Sequence, residues 1–268
     1  MKVGLDTTSL QPPDSVPNRD HLPIRVGISR CLLGKRVRYD GNHKQDHYLT
    51  DILGLYVTWV PVCPEVECGL PVPRAAMRLV GTQEEQRLVT IATAVDHTDL
   101  IYSWIDQTLE LLSTQDLSGF VFKSRSPSCG LHDTKIYSNR GSPIGRGAGL
   151  FAREFVKRFP GIPVEDEGRL HDAMIRENFI ERVFTLARWR ERMGNSRSAK
   201  DLIAWHSDHK LLFMAHSPKN LRLLGKLVAG FRTLGGKKTL DRYFQLMIET
   251  LALPATVKKQ VNVLQHIA

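Results

Sequence analysis

The chain has 268 residues, of which 42% are hydrophobic and 24% charged, and it carries a formal net charge of +9 at neutral pH. This composition is that of a soluble globular protein long enough for two domains. No apolar run approaches the roughly 20 residues that cross a bilayer and no apolar signal segment begins the chain, so we exclude a membrane protein and expect a cytoplasmic location.

The positive charge is concentrated in the last hundred residues. Residues 1–168 hold 19 Lys and Arg against 20 Asp and Glu, whereas residues 169–268 hold 18 against 8. A basic surface confined to one domain is the electrostatic footprint of a polyanion partner. A helical surface kept soluble by Lys and Arg is the alternative, and the sequence leaves both open.

Up to residue 168, predicted strands alternate with predicted helices. Residues 1–22 come first and are polar, proline-bearing and without periodicity, so we expect a mobile tail with no targeting role. Short β-branched or aromatic runs then predict buried strands, and periodic segments predict helices. The strands are Ile24–Ile28, Tyr56–Val62 and Gly119–Phe122, and the helices are Tyr48–Leu55, Thr98–Leu112 and Ala148–Arg158. We therefore expect an α/β domain over residues 23–168, with a Rossmann-like parallel sheet and flanking helices.

After residue 168 the pattern becomes helical. Apolar residues recur at helical spacing within Ile175–Leu186, Leu202–Met214 and Leu221–Phe231. The segment Pro160–Asp172 is the predicted junction. Residues 169–268 are therefore predicted to form a basic, all-α domain.

Three cysteines stand in separate short loops, each of which follows a predicted strand. They are Cys31, Cys63 and Cys129. In an open α/β sheet, residues past the carboxyl ends of the strands meet in one crevice, so the three thiolates are predicted to converge on one metal centre. Three protein ligands leave a position free for substrate, whereas closed structural sites use four. Core packing and a redox thiol remain alternatives, and Cys68 remains open as a fourth ligand, a spare thiol or a core residue.

Several polar residues lie in the same loops. Glu65 follows Cys63 by two residues, and a carboxylate beside a metal is suited to proton transfer. Ser126 and Ser128 precede Cys129, where their hydroxyls can bond a cluster sulfur or a substrate, or simply close a turn. Further candidates to anchor an anionic or heteroaromatic substrate are Arg38, Asp40, Arg74, Lys123 and Arg125.

Two weaker signals lie elsewhere. Gly145–Gly149 precedes a predicted helix but lacks the lysine of a phosphate-binding loop, which favours a tight turn over a phosphate site. His206, His209 and His216 have helical spacing without Cys or carboxylate partners. We predict that they make polar contacts with RNA or within the core and do not bind a metal.

Four motifs, in order, resemble the thiouracil desulfurase family. They are CLLGKRVRYDG, VCPEVECGLPVPR, KSRSPSCG and PVEDEGRLHDAMIRENFIERVF, within residues 24–182. The downstream segment AWHSDHKLLFMAHSPKNLRLLGKLVAG resembles the YbgA-like helical domain that is often fused to this family, and the combination resembles bacterial tRNA thiouridine desulfidases. That helical domain normally continues further, so we expect a shortened version that ends at Ala268.

The resemblance implies an iron–sulfur enzyme. Its cofactor would be a [4Fe-4S] cluster held by Cys31, Cys63 and Cys129, with one iron free of protein ligands to act as a Lewis acid toward a thiocarbonyl sulfur. Glu65 and Ser126 are the implied acid/base groups, and water replaces sulfur on carbon without net electron transfer. Relatives usually lack a cysteine at the position of Cys68, so this residue raises the possibility of a closed site.

We predict a hydrolytic desulfidase that converts 4-thiouridine in thiolated tRNA to uridine, with the basic domain holding the tRNA backbone. The residues expected to bind the substrate are Ser128, Arg125, Arg74 and Arg38. A desulfidase of free thiouracil or 2-thiouridine is one alternative. A non-enzymatic RNA-binding protein, with a structural metal site completed by Cys68, is another. No protein partner is inferred.

Overall fold

The computed structural model describes residues 23–82, 85–196, 198–256, 258–261 and 263, and these form two compact units. The first unit contains the described residues through Pro160 together with Val164–Gly168. The second contains Gly161–Pro163 and the described residues from Arg169 onward. The predicted amino-terminal tail, residues 1–22, lies outside the described residues. Within the described part, no helix is long and apolar enough to cross a membrane.

The first unit contains two four-stranded sheets and short helices. Its strands are β1 (Arg25–Ser29), β2 (Thr58–Val62), β3 (Met77–Gly81), β4 (Gln86–Thr90), β5 (Gly119–Phe122), β6 (Thr134–Tyr137), β7 (Pro143–Gly147) and β8 (Val164–Asp166). Its α-helices are α1 (Pro64–Glu67), α2 (Thr98–Ser113) and α3 (Leu150–Arg158). The predicted helix Tyr48–Leu55 is a π-helical turn, Tyr48–Ile52, followed by a 3-10 turn, Leu53–Leu55.

The first sheet is parallel throughout and has the strand order β2-β1-β5-β8. The predicted Rossmann-like α/β class is therefore confirmed, and three of the strands are those that the short apolar runs predicted. The fourth strand, β8, lies inside the segment that we predicted as a junction. Its sequence is Val-Glu-Asp, and Glu165 and Asp166 are both buried. Because acidic residues give no apolar signal, the sequence did not indicate this strand, although the division between the two units does fall within the predicted junction.

The second sheet was not predicted. Its order is β4-β3-β6-β7, and only the central pair, β3 and β6, is parallel. Strand β7 is largely exposed and contains Gly145–Gly147, so the tight turn that we predicted over these glycines is wrong. A Cβ on Gly147 would lie 3.1 Å from Ile136 Cδ1, and the glycine therefore allows β7 to pack closely on β6.

Aromatic side chains from β5 and α3 form the core beneath the parallel sheet. The rings of Phe120 and Phe122 stack with their centroids 4.2 Å apart. Phe151 and Phe155 of α3 pack against them at centroid distances of 4.7 to 5.9 Å, and all four side chains are fully buried. This core fixes β5, the strand before the Cys129 loop, against the helix that comes after that loop.

Gly27 of β1 faces this aromatic core without a side chain. A Cβ at this position would lie 2.1 Å from Phe120 Cδ2. We expect Gly27→Ala to lower the free energy of unfolding of the first unit by about 1–3 kcal/mol, the usual cost of overpacking a core. Chemical denaturation of the variant and the wild type measures this difference. A stability equal to that of the wild type would contradict the packing described here.

The second unit is all-α, as predicted. Its helices are α4 (Ala173–Met193), α5 (Ala199–His216), α6 (Pro218–Ala229), α7 (Phe231–Leu234) and α8 (Gly236–Ala252). The side chains of Asp172, Ser198 and Ser217 accept hydrogen bonds from the first backbone N–H groups of α4, α5 and α6. Capping of this kind satisfies donors that a helix leaves unpaired and explains where each helix begins.

The three histidines that were singled out from the sequence, His206, His209 and His216, bond within the second unit. His206 Nδ1 lies 2.9 Å from the Tyr243 hydroxyl, and His209 Nδ1 lies 2.9 Å from the Trp205 carbonyl oxygen. His216 is fully buried, and its ring nitrogens contact the Leu253 carbonyl and the Glu181 carboxylate. These contacts favour the core interpretation of the histidines over contacts with RNA.

Candidate functional site

The three cysteines predicted as metal ligands lie at the carboxyl ends of three adjacent parallel strands. Cys31 is in the 3-10 turn that directly follows β1, Cys63 directly follows β2, and Cys129 is in the loop after β5. Strand β1 pairs with both β2 and β5, so the sheet order places the three loops side by side. All three cysteines line one cavity of about 570 Å³.

The loop that carries Cys129 is held by the first turn of α3. The backbone N–H groups of Leu150 and Phe151 donate to the carbonyl oxygens of Pro127 and Ser128, at 3.1 and 3.0 Å. Gly149 permits this approach, because a Cβ there would lie 2.6 Å from the Ser128 carbonyl carbon. These helical donors bind the cysteine loop and do not face a ligand, so the phosphate interpretation of the glycine segment has no support here.

Glu65 extends from α1 into the same cavity and is held by its neighbours on both oxygens. Ser128 Oγ donates to Glu65 Oε1 at 2.6 Å, and Arg74 Nε donates to Oε2 at 2.9 Å. Arg74 Nη2 also donates to Oε2 and, at 3.1 Å, to the Val37 carbonyl. The carboxylate is nearly buried and has a fixed orientation, as a proton-transfer group requires.

Ser126 lies one hydrogen bond further from the carboxylate than Ser128. Its Oγ is 3.0 Å from Ser128 Oγ and accepts from the backbone N–H groups of Ser128 and Cys129 at 3.3 and 3.1 Å. The two hydroxyls and Glu65 therefore form a continuous chain. Ser126 thus closes the turn and also belongs to this chain. A bond from its hydroxyl to a cluster sulfur or a substrate stays a prediction.

Burial makes the three thiols weak acids in the absence of a metal. Desolvation raises the pKa of Cys31 to about 11, although the Lys123 ammonium opposes the shift. Desolvation likewise raises the pKa of Cys63 to about 12. For Cys129, burial and then the nearby Cys63 sulfur raise the pKa well above its usual range, while a hydrogen bond from Ser29 lowers it. Ligation must therefore replace three protons with metal, as is general for cysteine ligands.

Cys68 differs from the other cysteines. It ends α1, its Sγ donates to the Glu65 backbone carbonyl oxygen at 3.3 Å, and it is not among the residues that line the cavity. Burial is the main cause that raises the pKa of the Cys68 thiol. This placement argues against Cys68 as a fourth ligand and favours a thiol that packs beside the site.

The predicted substrate-binding residues also line the cavity, but their side chains are engaged to different extents. The side chain of Arg74 is only 6% exposed and bonds Glu65, while Ser128 donates to the same carboxylate. Arg38 pairs with Asp40 across 3.3 Å. Arg125 is exposed at the cavity and its backbone has a positive φ of 59°. The geometry therefore leaves Arg38 and Arg125 accessible to a substrate, whereas Arg74 and Ser128 orient Glu65.

Three further polar residues at the site were not singled out from the sequence. Ser29 Oγ accepts from the Lys123 backbone N–H at 2.9 Å. Glu67 accepts from the Cys63 backbone N–H at 2.8 Å and pairs with Arg30 at 2.8 Å. Glu167 contacts Lys123 and Ser124. Ser29 and Glu67 lie within four residues of a cysteine, and this proximity could have identified them from the sequence. Glu167 is remote in sequence from all four cysteines, so no local signal indicated it.

A cluster fits this donor set better than a single metal ion. Among the described residues, no three His, Cys, Asp or Glu side chains are grouped closely enough to hold one ion. A zinc ion would need its sulfur ligands within about 2.3 Å of one point. Iron–sulfur clusters bind each thiolate through a different iron atom, so their ligands stand further apart. Three thiols that line one cavity are compatible with that arrangement.

The fold and the cavity together define a class of protein, an α/β protein in which three cysteines and an oriented carboxylate share one cavity at the carboxyl ends of parallel strands. The chain belongs to the 2-thiouracil desulfurase family, whose model matches residues 26–167, more than half of the chain. A second model, described as a protein of unknown function (DUF1722), matches residues 210–268.

Individual proteins give similar matches. YbbK of Bacillus subtilis (strain 168), an uncharacterized protein, is 29% identical over 108 residues, which cover 38% of this chain and 71% of YbbK. YbgA of Escherichia coli (strain K12), also uncharacterized, is 31% identical over 95 residues, which cover 34% of this chain and 54% of YbgA. A solved structure, described as the [4Fe-4S]-dependent thiouracil desulfidase TudS, is 32% identical with a TM-score of 0.45, covering 55% of this chain and 93% of its own.

Proposed function

We propose that the protein is an iron–sulfur enzyme that removes sulfur from a thiolated pyrimidine by hydrolysis. The observation that carries the proposal is that Cys31, Cys63 and Cys129 share a cavity with the oriented carboxylate of Glu65. The three cysteines would hold a [4Fe-4S] cluster, and Cys68 lies outside the cavity lining, so one iron would have no protein ligand. When bound, such a cluster supplies a Lewis acid toward the thiocarbonyl sulfur.

The protein's own residues then supply proton transfer and orientation. Glu65 Oε1 is the atom that accepts a proton from water, since it receives one neutral donor, Ser128 Oγ, whereas Arg74 occupies the other oxygen with two charged N–H donors. Ser128 and Ser126 continue the hydrogen-bond chain from Oε1 along the cavity wall. Burial of these groups strengthens each of their interactions, because water competes weakly for them.

Anaerobic purification with iron and sulfide analysis, followed by an assay of sulfide release, tests this function. We expect about four iron and four sulfide per chain, together with conversion of 4-thiouracil or thiolated tRNA to the corresponding uracil or uridine product. Zinc in place of iron would favour a structural metal site. A fully loaded cluster without release of sulfide from any thiolated pyrimidine would refute the enzymatic proposal.

We further propose that the natural substrate is 4-thiouridine in tRNA and that the helical unit binds the tRNA backbone. The charge distribution supports this proposal, because residues 169–268 hold 18 basic residues against 8 acidic ones. On α6, Lys219, Arg222 and Lys226 are exposed at spacings of three and four, which places them on one face of the helix. Such a face can contact successive phosphates.

Salt dependence of tRNA binding tests this assignment. Replacing Lys219, Arg222 and Lys226 together with Gln should weaken tRNA binding and reduce the slope of log affinity against log salt by about two to three, since each lost phosphate contact removes roughly 0.7–0.9 from the slope. Turnover of free thiouracil should stay unchanged. Filter binding between low and moderate salt measures the slope.

A matched control removes the same charge from the first unit. Lys135, Arg140 and Lys157 are exposed there, and replacing them with Gln changes the net charge equally. If both triple variants lower affinity alike, the effect belongs to total charge and not to the α6 surface. If neither variant affects tRNA, the free-base alternative gains support.

A further inference from the structure

Glu167 is a buried carboxylate at the cavity that the desulfuration chemistry does not use. It belongs to the motif PVEDEGRLHD, follows β8 directly, and is only 9% exposed. Its two oxygens accept from the Lys123 ammonium, from Ser124 Oγ at 2.8 Å and from the Ser124 backbone N–H at 2.7 Å. A buried acid that receives three donors from two adjacent residues fixes the conformation of that segment.

The segment that Glu167 holds is the start of the loop that leads to Cys129. Lys123 Nζ also donates to the Ser124 carbonyl and hydroxyl oxygens, both at 3.1 Å. The Lys123 backbone N–H donates to Ser29 Oγ at 2.9 Å. The Glu167 backbone N–H in turn donates to the Phe122 carbonyl at 3.2 Å, so the carboxylate is itself anchored to the end of β5.

Arg125 follows Lys123 and Ser124, the two residues that Glu167 holds, and it has an unfavourable backbone conformation. Its φ of 59° lies in the left-handed region, which side chains with a Cβ rarely adopt. Ser126, on its other side, is fixed because its Oγ accepts from two backbone N–H groups. A strained residue between two fixed neighbours persists because those neighbours determine its conformation. The consequence is that the Arg125 side chain is exposed at the cavity.

We propose that Glu167 is a positioning residue for substrate binding, which acts by holding Lys123 and Ser124 so that Arg125 is presented to the thiolated pyrimidine. The kinetic consequence rests on the proposed desulfidase function, whereas the structural consequence does not. The proposal assigns a role to the fourth sequence motif. It gives Glu167 an effect on substrate binding, whereas Glu65 acts in the chemical step.

A double-mutant cycle tests the kinetic consequence. Glu167→Gln keeps the size of the side chain, but its amide nitrogen cannot accept from Lys123 or Ser124. We expect the KM for thiouracil to rise by about tenfold with kcat changed by less than about twofold, because the lost hydrogen bonds involve charged groups. Arg125→Ala should give a similar rise. The double variant should be no worse than the poorer single variant, since both act through the same contact. Additive increases, or a fall in kcat alone, would overturn the proposal.

Amide hydrogen exchange tests the structural consequence without any substrate. Peptides that cover residues 123–128 should exchange faster in Glu167→Gln than in the wild type, because the amide has one acceptor oxygen where the carboxylate has two, so Lys123 and Ser124 lose part of their anchoring. Iron content should stay equal in the two proteins. Glu110→Gln, which changes an exposed carboxylate on α2, is the matched control and should alter neither measurement.

The kinetic and exchange measurements distinguish a failure of the proposed desulfidase function from a failure of the positioning role of Glu167. If the loaded wild-type protein releases no sulfide, the proposed function fails, and the exchange experiment still decides whether Glu167 holds the loop. If Glu167→Gln does not fold, Ser124→Ala removes only the hydroxyl that donates to Glu167 and should give a smaller change of the same kind. Unchanged exchange in the variant that folds would overturn the positioning role.

Discussion

Replacing Cys31, Cys63 or Cys129 with Ala is expected to abolish the visible absorbance of the cluster or reduce bound iron sharply in each case. Each of these residues follows a different parallel strand, and all three line one cavity. Because iron–sulfur clusters are held by cysteine thiolates, the loss of one of only three ligands leaves an iron atom without its protein anchor. Iron and sulfide analysis after anaerobic reconstitution measures the result.

Cys68→Ala is the matched control for these variants. The Cys68 thiol donates to the Glu65 carbonyl and does not line the cavity, so its loss should leave iron content and absorbance intact. Cys68 and the three predicted ligands are all small side chains that are at least partly buried. The four alanine variants are therefore expected to differ little in folding. An equal loss of iron in all four variants would mean that Cys68 completes the site, and the proposal of an open iron would then be wrong.

The sequence was informative about the parallel sheet because its three predicted strands are short apolar runs bounded by Gly, Pro and Ser. It was uninformative about β8 and the second sheet for physical reasons. The buried acids of β8 mimic a polar linker, since Glu165 and Asp166 give no hydrophobic signal. Strand β7 is mostly exposed and glycine-rich, so its side chains give no pattern of burial. The strand is defined by its hydrogen bonds to β6, which the sequence does not reveal.

The candidate site shows the same division between local and long-range information. The position of each cysteine past a strand is a local feature, and the parallel order of the sheet then brings the three together. Side-chain pairing is not local. Arg74 reaches Glu65 across nine positions and Glu167 reaches Lys123 across 44, so neither pairing was readable from spacing. For this reason Arg74 was predicted to bind substrate, although the structure directs its guanidinium toward Glu65.

Glu65→Gln is expected to retain the cluster but to lower turnover by roughly two to four orders of magnitude, the usual contribution of general acid–base catalysis. The amide has the size of the carboxylate and can still accept from Arg74 through its oxygen, while its nitrogen faces Ser128. The fold and the cavity should therefore persist. What the variant loses is an atom that can take up a proton at the position of Oε1. Sulfide release per bound cluster measures the effect.

Glu67→Gln is the control that separates the loss of proton transfer in Glu65→Gln from the loss of an ion pair. Glu65 and Glu67 lie on the same short helix, the side chain of each is 12% exposed, and each pairs with an arginine. Only Glu65 lines the cavity. Both variants leave an arginine without its carboxylate and should lower stability by similar amounts, so denaturation curves for the two are expected to agree. Turnover per cluster should fall by orders of magnitude in Glu65→Gln alone. An equal fall in both variants would mean that α1 needs its ion pairs for structure, and the proton-transfer role of Glu65 would lose its support.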